Sequence, residues 1–280
     1  VLPIMAYSHN DEMQGENALA LALSLGFSSI EIDLPLPGQD STYQLVVGHR
    51  ESDLNERSLA HTYLNPLLTT LNERNEGKNV SAGQWTGLYE SRPRAQVQLV
   101  IDFKSHGEAM WPYLVSALEP LRTAGFLTTY HVESKRWSAG PLIVVGTGNA
   151  PLSEIYHAPH RDIFYDAPLM NLEEPVTIPA SSARDEVTFQ WTPDISPMAS
   201  AKFPAMYHLG MELPPWSFIE KWLRGYTDEA RRRGIKSRWW GTARMTQGIR
   251  KRLWMMISRG GADWLGGDDL PELAQWIRSS

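Results

Sequence analysis

The sequence predicts an α/β protein, built as a single (β/α)8 barrel of the TIM type in a distorted form. Short β-rich runs alternate with longer helical patterns along most of the chain, which implies parallel strands joined by right-handed crossovers. About eight such units fit into 280 residues, and a barrel of this kind typically needs about 250. The chain shows neither a glycine-rich dinucleotide fingerprint nor a phosphate-cradling P-loop, which weakens the alternative of an open, doubly wound sheet.

The first half of the chain supplies four strands of the predicted barrel. These strands are LPIMAY, SSIEIDLPL, VQLVIDF and PLIVVGTG, and YQLVVGH is an extra strand that returns beside the second. Apolar residues recurring every three or four positions predict helices over residues 16–25, 59–75 and 109–123. Pro66 limits how far the first part of the second helix can extend.

The second half continues the alternation after a fifth strand, DIFYDAP. Residues 175–215 are loop-rich, with TIPASS and VTFQW as short strands. KSRWWGT and ADWLGG are the last strands, and helices are predicted over residues 218–233, 247–259 and 270–278. Because no linker, internal repeat or low-complexity segment interrupts the chain, we expect one domain over residues 1–280.

Composition excludes several classes of protein. The formal net charge of -6 argues against a nucleic-acid-binding surface. The absence of cysteine excludes a disulfide framework and a thiolate metal site. No apolar stretch approaches the roughly 18 residues that a membrane-spanning helix needs. The chain begins Val-Leu-Pro, which we interpret as a processed form.

Carboxylates occupy one face of the second predicted strand. Glu31 and Asp33 are two residues apart, so both point to the side opposite Ile32. Asp102 and Lys104 repeat this spacing at the end of VQLVIDF. A shared Mg²⁺ or Ca²⁺ ion would offset the cost of turning such charges inward. A solvated edge strand and a structural salt bridge are the alternatives that these segments leave open.

Two histidines also stand at predicted strand ends. His9 follows the first strand and His49 follows the returning strand, so they flank the Glu31–Asp33 pair in sequence. Imidazoles can donate and accept protons near neutral pH, and this placement suits an acid–base couple. The other six histidines show no comparable placement.

Together these motifs resemble a known superfamily. SHND, then EN with ALALALSLGFSSIEIDLPL, then LVVGH, is similar to the glycerophosphodiester phosphodiesterase and phospholipase C-like superfamily. LVIDFKS matches its strand-three element, and the Asp-x-Lys form resembles the spider-venom phospholipase D branch. The full set, including YLNPLL, VVGTGNAP and FYDAPL, most resembles the fungal group named for altered inheritance of mitochondria.

The resemblance implies a distorted α/β barrel with one divalent cation, Mg²⁺ or Ca²⁺, that cleaves a phosphodiester in a glycerol- or lipid-based substrate. It implies metal ligands at Glu31, Asp33 and Asp102, a catalytic pair at His9 and His49, and a phosphate contact at Lys104. Asn10 departs from the glycerophosphodiesterase pattern, which has Arg after the first His. Phosphoinositide-specific phospholipases C have Asn there as a calcium ligand, so Asn10 is a further candidate ligand.

The remaining expectations concern the substrate, the oligomeric state and the cellular location. Trp240, at the end of the seventh predicted strand, is a weaker candidate for a headgroup pocket, because packing explains Trp more often than binding does. The leading function is a metal-dependent phosphodiesterase acting on glycerophosphodiesters or phospholipid headgroups. The alternatives are a sphingomyelinase D-type lyase that forms cyclic phosphates and a non-catalytic lipid- or phosphate-binding barrel. We expect a secreted monomer that touches membranes transiently, with a membrane-tethered or mitochondrial location as the alternative.

Overall fold

The structure is a computed structural model of the chain. It describes residues 1–35, 45–48, 57–204, 216–242 and 246–280, with only the backbone of residue 216. Contacts divide the chain into two compact units, Val1–Phe164 and Tyr165–Ser280, and each is described by itself. The expectation of a single domain over residues 1–280 stays a prediction.

Four parallel strands form the centre of the first unit. They are β1 (Ile4–Ser8), β2 (Phe27–Leu34), β3 (Val97–Phe103) and, after two short strands given below, β6 (Leu142–Gly148). β2 lies between β1 and β3, and β3 lies between β2 and β6. All eight residues of β2 are buried, and its apolar members Ile30, Ile32 and Leu34 are fully so. The strands therefore run parallel through a core, as the sequence predicts.

Helices follow these strands, and all but the helix after β6 lie in segments that the sequence predicts to be helical. They are α1 (Ala18–Ser24), α2 (Asn65–Arg74), α3 (Gly107–Ala117), α4 (Glu119–Thr123) and α5 (Leu152–His157). Pro66 stands in the first turn of α2, after a separate helical turn at Ala60–Leu64. The segment predicted to be helical over residues 109–123 is helical in the structure, but it is broken at Leu118. The structure has two shorter helices there, with Pro120 in the first turn of the second.

A small antiparallel sheet in the first unit has no counterpart among the predicted elements. It contains β4 (Thr129–His131), β5 (Arg136–Ser138) and β7 (His160–Arg161), with β4 in the middle. The extra strand predicted over residues 43–49 is described only at 45–48. There Val46 forms an antiparallel bridge with Ser58, and the Gly48 N–H bonds to the Asp33 carbonyl at 3.0 Å.

The second unit also carries parallel strands. β8 (Ile163–Pro168), whose first two residues end the first unit, pairs with β11 (Met198–Lys202), and β11 pairs with β12 (Lys236–Trp240). β13 (Leu265–Gly267) lies beside β12 through a parallel bridge at Arg238 and Trp264. β9 (Val176–Ile178) and β10 (Val187–Phe189) form a separate hairpin.

Three helices accompany these strands: α6 (Trp216–Arg232), α7 (Gln247–Arg259) and α8 (Leu270–Ser279). Asp269 caps α8 by accepting a hydrogen bond from the Glu272 N–H at 3.0 Å. Both units alternate strands with helices, and the predicted α/β class is confirmed.

Candidate active site

Three carboxylates converge at the ends of β2 and β3. Glu31 and Asp33 share one face of β2, and Asp33 lies opposite Asp102 in the parallel register with β3. One oxygen from each of these three side chains lies within 4.8 Å of the others. We call Glu31, Asp33 and Asp102 the acid cluster. The period-two spacing of β2 and the pairing with β3 bring together the residues that the sequence singled out.

Lys104 supplies positive charge to the acid cluster. Its Nζ lies 3.0 Å from Oδ2 of Asp33 and also contacts Oδ2 of Asp102. Burial alone would lower the pKa of Lys104, but the charges of Asp102 and Asp33 outweigh it and raise the pKa above its usual value. Lys104 therefore stays an ammonium near neutral pH, and its side chain keeps 25% of its exposure to solvent.

The chemistry of the donor set fits a divalent cation. Three carboxylates carry three negative charges when ionised, and Lys104 offsets one of them. Glu31 is 5% exposed and Asp33 is fully buried, so water screens the remaining charge poorly. Oxygen donors of this kind suit hard cations such as Mg²⁺ and Ca²⁺. The residues present thus match the kind of ion that the sequence resemblance implies.

A glycine on the neighbouring strand leaves room for Asp102. Gly148 ends β6 with a φ of +66°, a left-handed conformation that favours glycine. A Cβ at this position would collide with Oδ1 of Asp102. The second glycine of the VVGTG motif therefore has a steric role beside the acid cluster.

His9 and Asn10 follow β1 at the edge of the sheet that carries the acid cluster. Ser8, the last residue of β1, lies opposite Ile30 of β2, directly before Glu31. The carboxyl ends of neighbouring parallel strands meet at one edge, so His9 emerges beside the end of β2. Asn10 is 6% exposed and has a left-handed φ of 48°, which asparagine tolerates better than most residues.

Two further carboxylates are buried directly after these residues, and the sequence assigned no role to them. Asp11, which is fully buried, accepts hydrogen bonds from the hydroxyls of Ser8 and Tyr63, the latter at 3.0 Å. Glu12 is 1% exposed, and its Oε2 accepts the backbone N–H of Asp33 at 3.2 Å. We call Asp11 and Glu12 the buried pair.

Burial shifts the titration of both members of the buried pair. It raises the pKa of Asp11 from 3.8 to about 6, although the hydrogen bonds from Ser8 and Tyr63 oppose the change. Burial, and then the negative charge of Asp33, raise the pKa of Glu12 from 4.5 to about 8. The buried pair thus holds protons more tightly than exposed carboxyls do. Arg57 interacts with the backbone of the buried pair: its Nη1 donates a hydrogen bond to the carbonyl of Glu12 at 2.8 Å.

Two further residues were predicted to belong to the site, His49 and Trp240. His49 lies outside the described residues. Gly48, whose N–H bonds to the carbonyl of Asp33, is the last residue that the structure describes before it. Trp240 is the last residue of β12 in the second unit, where the Nζ of Lys202 lies 5.4 Å from its ring centre. Their predicted roles stay predictions.

Comparison with known proteins gives three concordant matches. A family model described as an AIM6-like phosphodiesterase domain matches residues 1–166. The altered inheritance of mitochondria protein 6 homolog of Arthroderma benhamiae is 33% identical over 280 residues, which covers 96% of this chain and 82% of the relative. The altered inheritance of mitochondria protein 6 of Eremothecium gossypii is also 33% identical, covering 96% of this chain and 68% of the relative.

A solved structure supports the fold. The glycerophosphoryl diester phosphodiesterase of Parabacteroides distasonis matches with a TM-score of 0.50 at 14% identity, covering 99% of this chain and 87% of the other. The parallel strands within the described residues number eight, and the predicted α/β barrel of the TIM type is confirmed.

The expectation of a secreted or extracellular protein is wrong. The relatives are named for altered inheritance of mitochondria, and their names give no support for export. Among the helices that the structure describes, none combines the length and the apolar character needed to cross a bilayer.

Proposed function

This chain belongs to the AIM6-like phosphodiesterase family, and we propose that it is a metal-dependent enzyme acting on glycerophosphodiesters or phospholipid headgroups. The family establishes the coarser statement, that the chain is a phosphodiesterase, a hydrolase of phosphoric diesters. The dependence on a metal, the residues and the substrate class are our proposal.

The observation that carries the proposal is the acid cluster with its ammonium partner. One oxygen each from Glu31, Asp33 and Asp102 lies within 4.8 Å of the others, and Lys104 contacts two of these residues. A phosphodiester is an anion and a poor electrophile, so its cleavage needs fixed positive charge beside the phosphate. Carboxylates alone would repel the substrate. Their concentration in one place is therefore best explained by a cation that they hold.

We assign the metal-holding role to the acid cluster, with Asn10 as a candidate fourth ligand. A bound divalent cation would act as a Lewis acid that stabilises negative charge on the phosphate. Mg²⁺ and Ca²⁺ both suit these oxygen donors. Asn10 follows β1, which pairs with the strand β2 that carries Glu31, and its amide oxygen is a hard donor like the carboxylate oxygens.

Three side chains supply phosphate binding and proton transfer. Lys104 donates hydrogen bonds from its ammonium to the non-bridging phosphate oxygens, which stabilises charge that grows in the transition state. His9 serves as base or nucleophile at the end of β1, and His49 protonates the leaving alkoxide. Acid–base help of this kind typically contributes about a hundred- to ten-thousandfold in rate.

The products distinguish the leading function from a lyase. If a hydroxyl of the substrate attacks the phosphorus, the product is a cyclic phosphate, which is the outcome of the alternative sphingomyelinase D-type reaction. The Asp-x-Lys spacing at Asp102 and Lys104 resembles that branch. If water attacks, the product is an open monoester.

We further propose that the enzyme acts as a monomer with transient contact to membrane surfaces. Trp137 on β5 is 46% exposed and stacks on Phe164, with ring centres 5.4 Å apart. An exposed indole of this kind can lie at a lipid–water boundary.

Phosphorus NMR on a panel of phospholipids, lysophospholipids and glycerophosphodiesters tests the proposal. Each reaction is run with EDTA, with Mg²⁺ and with Ca²⁺. We expect product only when a divalent cation is present, and the chemical shift identifies a monoester or a cyclic phosphate.

His9→Ala is the matched variant, because it removes the imidazole and leaves the acid cluster intact. It should lower turnover about a hundred- to ten-thousandfold without changing the circular dichroism spectrum. Equal turnover with EDTA and with metal contradicts the metal dependence. Binding of the panel without any turnover, at every metal concentration, favours the non-catalytic barrel.

A further inference from the structure

Two histidines face each other on the small antiparallel sheet of the first unit. His131 ends β4, and its Cα lies opposite that of His160, the first residue of β7. Directly opposite residues of an antiparallel pair project to the same face of the sheet. We call His131 and His160 the histidine pair. Neither residue belongs to the acid cluster or to the proposed catalytic set.

The two imidazoles approach each other through the same ring nitrogen. Nδ1 of His131 lies 3.0 Å from Nδ1 of His160, and the rings are inclined by 70° with centres 5.1 Å apart. Imidazole nitrogens bind metals at about 2.0–2.1 Å, so two ligands at a right angle are about 3.0 Å apart. At a tetrahedral angle the separation is about 3.4 Å. The observed spacing thus corresponds to the right angle.

A third side chain fixes the orientation of His131. Its Nε2 lies 2.8 Å from Oγ of Ser138 on β5. When Nε2 donates its hydrogen to that hydroxyl, Nδ1 carries no hydrogen and its lone pair is directed at His160. Histidines that bind metals commonly use the other ring nitrogen in this way, which fixes the tautomer.

We propose that the histidine pair binds a transition-metal ion of the Cu²⁺ or Ni²⁺ type. These ions prefer square or tetragonal nitrogen sites with right angles between ligands, and imidazole suits them better than carboxylate does. Among the described residues, no third histidine, aspartate or glutamate joins the histidine pair, so water completes the coordination. The site is distinct in chemistry from the acid cluster, whose oxygen donors suit Mg²⁺ or Ca²⁺.

The alternative is that the contact is only a hydrogen bond. In that case His160 donates its Nδ1 hydrogen to Nδ1 of His131, and the histidine pair has no appreciable affinity for metal. Both arrangements place the nitrogens at similar separations, so metal binding must be measured directly.

The test titrates Cu²⁺ into the full chain, prepared without a histidine tag and stripped with EDTA. Excess Mg²⁺ is present throughout to compete for the oxygen donors of the acid cluster, and the histidine variants identify the ion that the histidine pair binds. Calorimetry gives the number of ions bound and their affinity, and electron paramagnetic resonance reports the nitrogen ligands. We expect His131→Ala and His160→Ala each to lose one equivalent of tightly bound Cu²⁺ and its nitrogen couplings.

Two further variants make the test selective. Ser138→Ala should retain the site with about tenfold lower affinity, because it removes only the group that orients His131. His157→Ala is the control, since its Nδ1 interacts with the Ser153 carbonyl at 2.8 Å and not with the histidine pair. It should bind as the wild type does.

The proposal is overturned if the wild type, His131→Ala and His160→Ala bind the same number of Cu²⁺ ions with the same affinity. It is also overturned if the spectrum shows no nitrogen coupling that these two variants remove. Neither outcome bears on the phosphodiesterase proposal, which is tested with Mg²⁺ or Ca²⁺ and phosphodiester substrates.

Discussion

The acid cluster on β2 and β3 and the buried pair after β1 are two neighbouring groups of carboxylates that are stabilised in different ways. In the acid cluster, the ammonium of Lys104 contacts Asp33 and Asp102, and the Asp102 side chain is 16% exposed. In the buried pair, hydroxyls and a backbone N–H take the place of a cation, and both residues are at most 1% exposed.

The comparison shows how the surroundings of a buried carboxylate affect its charge. A buried carboxylate without a cation gains protons more readily, and the pKa values of Asp11 and Glu12 are raised to about 6 and about 8. In the acid cluster, the ammonium of Lys104 offsets part of the negative charge of Asp33 and Asp102. The two groups meet at Asp33, whose side chain belongs to the acid cluster and whose N–H donates to Glu12.

Asp33→Asn should have the largest effect of the four changes, because Asp33 takes part in both groups of carboxylates. It removes one of the three carboxylates of the acid cluster and retains the backbone N–H that donates to Glu12. We expect turnover to fall about a hundred- to a thousandfold, as for the loss of one strong electrostatic group in an active site. Steady-state kinetics with Mg²⁺ measures this, and the thermal midpoint should not fall. Asp228→Asn, at an exposed ion pair on α6, is the control that should retain full turnover. A fully active Asp33→Asn enzyme would exclude Asp33 as a metal ligand.

The pH dependence of stability tests the buried pair. The folded-state pKa of Asp11 is raised from 3.8 to about 6, so the folded protein binds more protons than the unfolded chain between these values. Stability must therefore fall as pH rises from about 4 to 7, by about 3 kcal/mol from this residue at full ionisation. Urea unfolding in EDTA measures the slope. Asp11→Asn should flatten that slope by this amount, and Asp228→Asn should not change it. Parallel slopes for the wild type and Asp11→Asn would refute the assignment.

Lys104→Met tests whether the ammonium of Lys104 competes with a metal ion for the acid cluster. Removing the ammonium leaves the three carboxylates without their internal cation, so a divalent ion should bind more tightly. We expect about a tenfold higher affinity for Mg²⁺, since an exposed portion of Lys104 limits its coupling to the cluster. The KM for the phosphodiester should rise, because the phosphate loses a donor. Calorimetry and kinetics on the same preparation measure both quantities. Weaker Mg²⁺ binding would indicate that Lys104 supports the geometry of the cluster and does not compete with the metal.

Tyr63→Phe should have the smallest effect. It removes the hydroxyl that donates to Asp11 at 3.0 Å and keeps the aromatic ring. That hydrogen bond lowers the pKa of Asp11, so its loss should raise the pKa further and cost about 1 kcal/mol of stability at pH 7. Urea unfolding measures the cost. Tyr130→Phe, on β4 and outside the buried pair, is the control. A loss no larger than that of Tyr130→Phe would show that Tyr63 does not stabilise Asp11.

The acid cluster was predictable from sequence because its spacing is local. Period two places Glu31 and Asp33 on one face, and the same pattern at Asp102 and Lys104 lies on the neighbouring strand. Parallel pairing then brings the strand ends together. The order of β1, β2, β3 and β6, and of the helices between the first three of these strands, followed from the same patterns of apolar residues.

Other elements carry little local signal. β11 reads MASAK, and alanine, serine and lysine favour strands weakly, so this strand was absorbed into the region predicted as loop-rich. The strands of the small antiparallel sheet are two or three residues long, too short for a period to be recognised. The buried pair was assigned no role because its environment comes from a distant part of the chain. Tyr63 is 52 residues from Asp11 in sequence.

Gly148 shows how a position distant in sequence can control a proposed metal ligand. Its missing side chain is the space that Oδ1 of Asp102 uses. An alanine at this site would displace the aspartate without altering any acidic residue or either proposed catalytic histidine. In a collection of natural variants, a substitution at Gly148 would therefore resemble a harmless loop polymorphism while acting as a null allele.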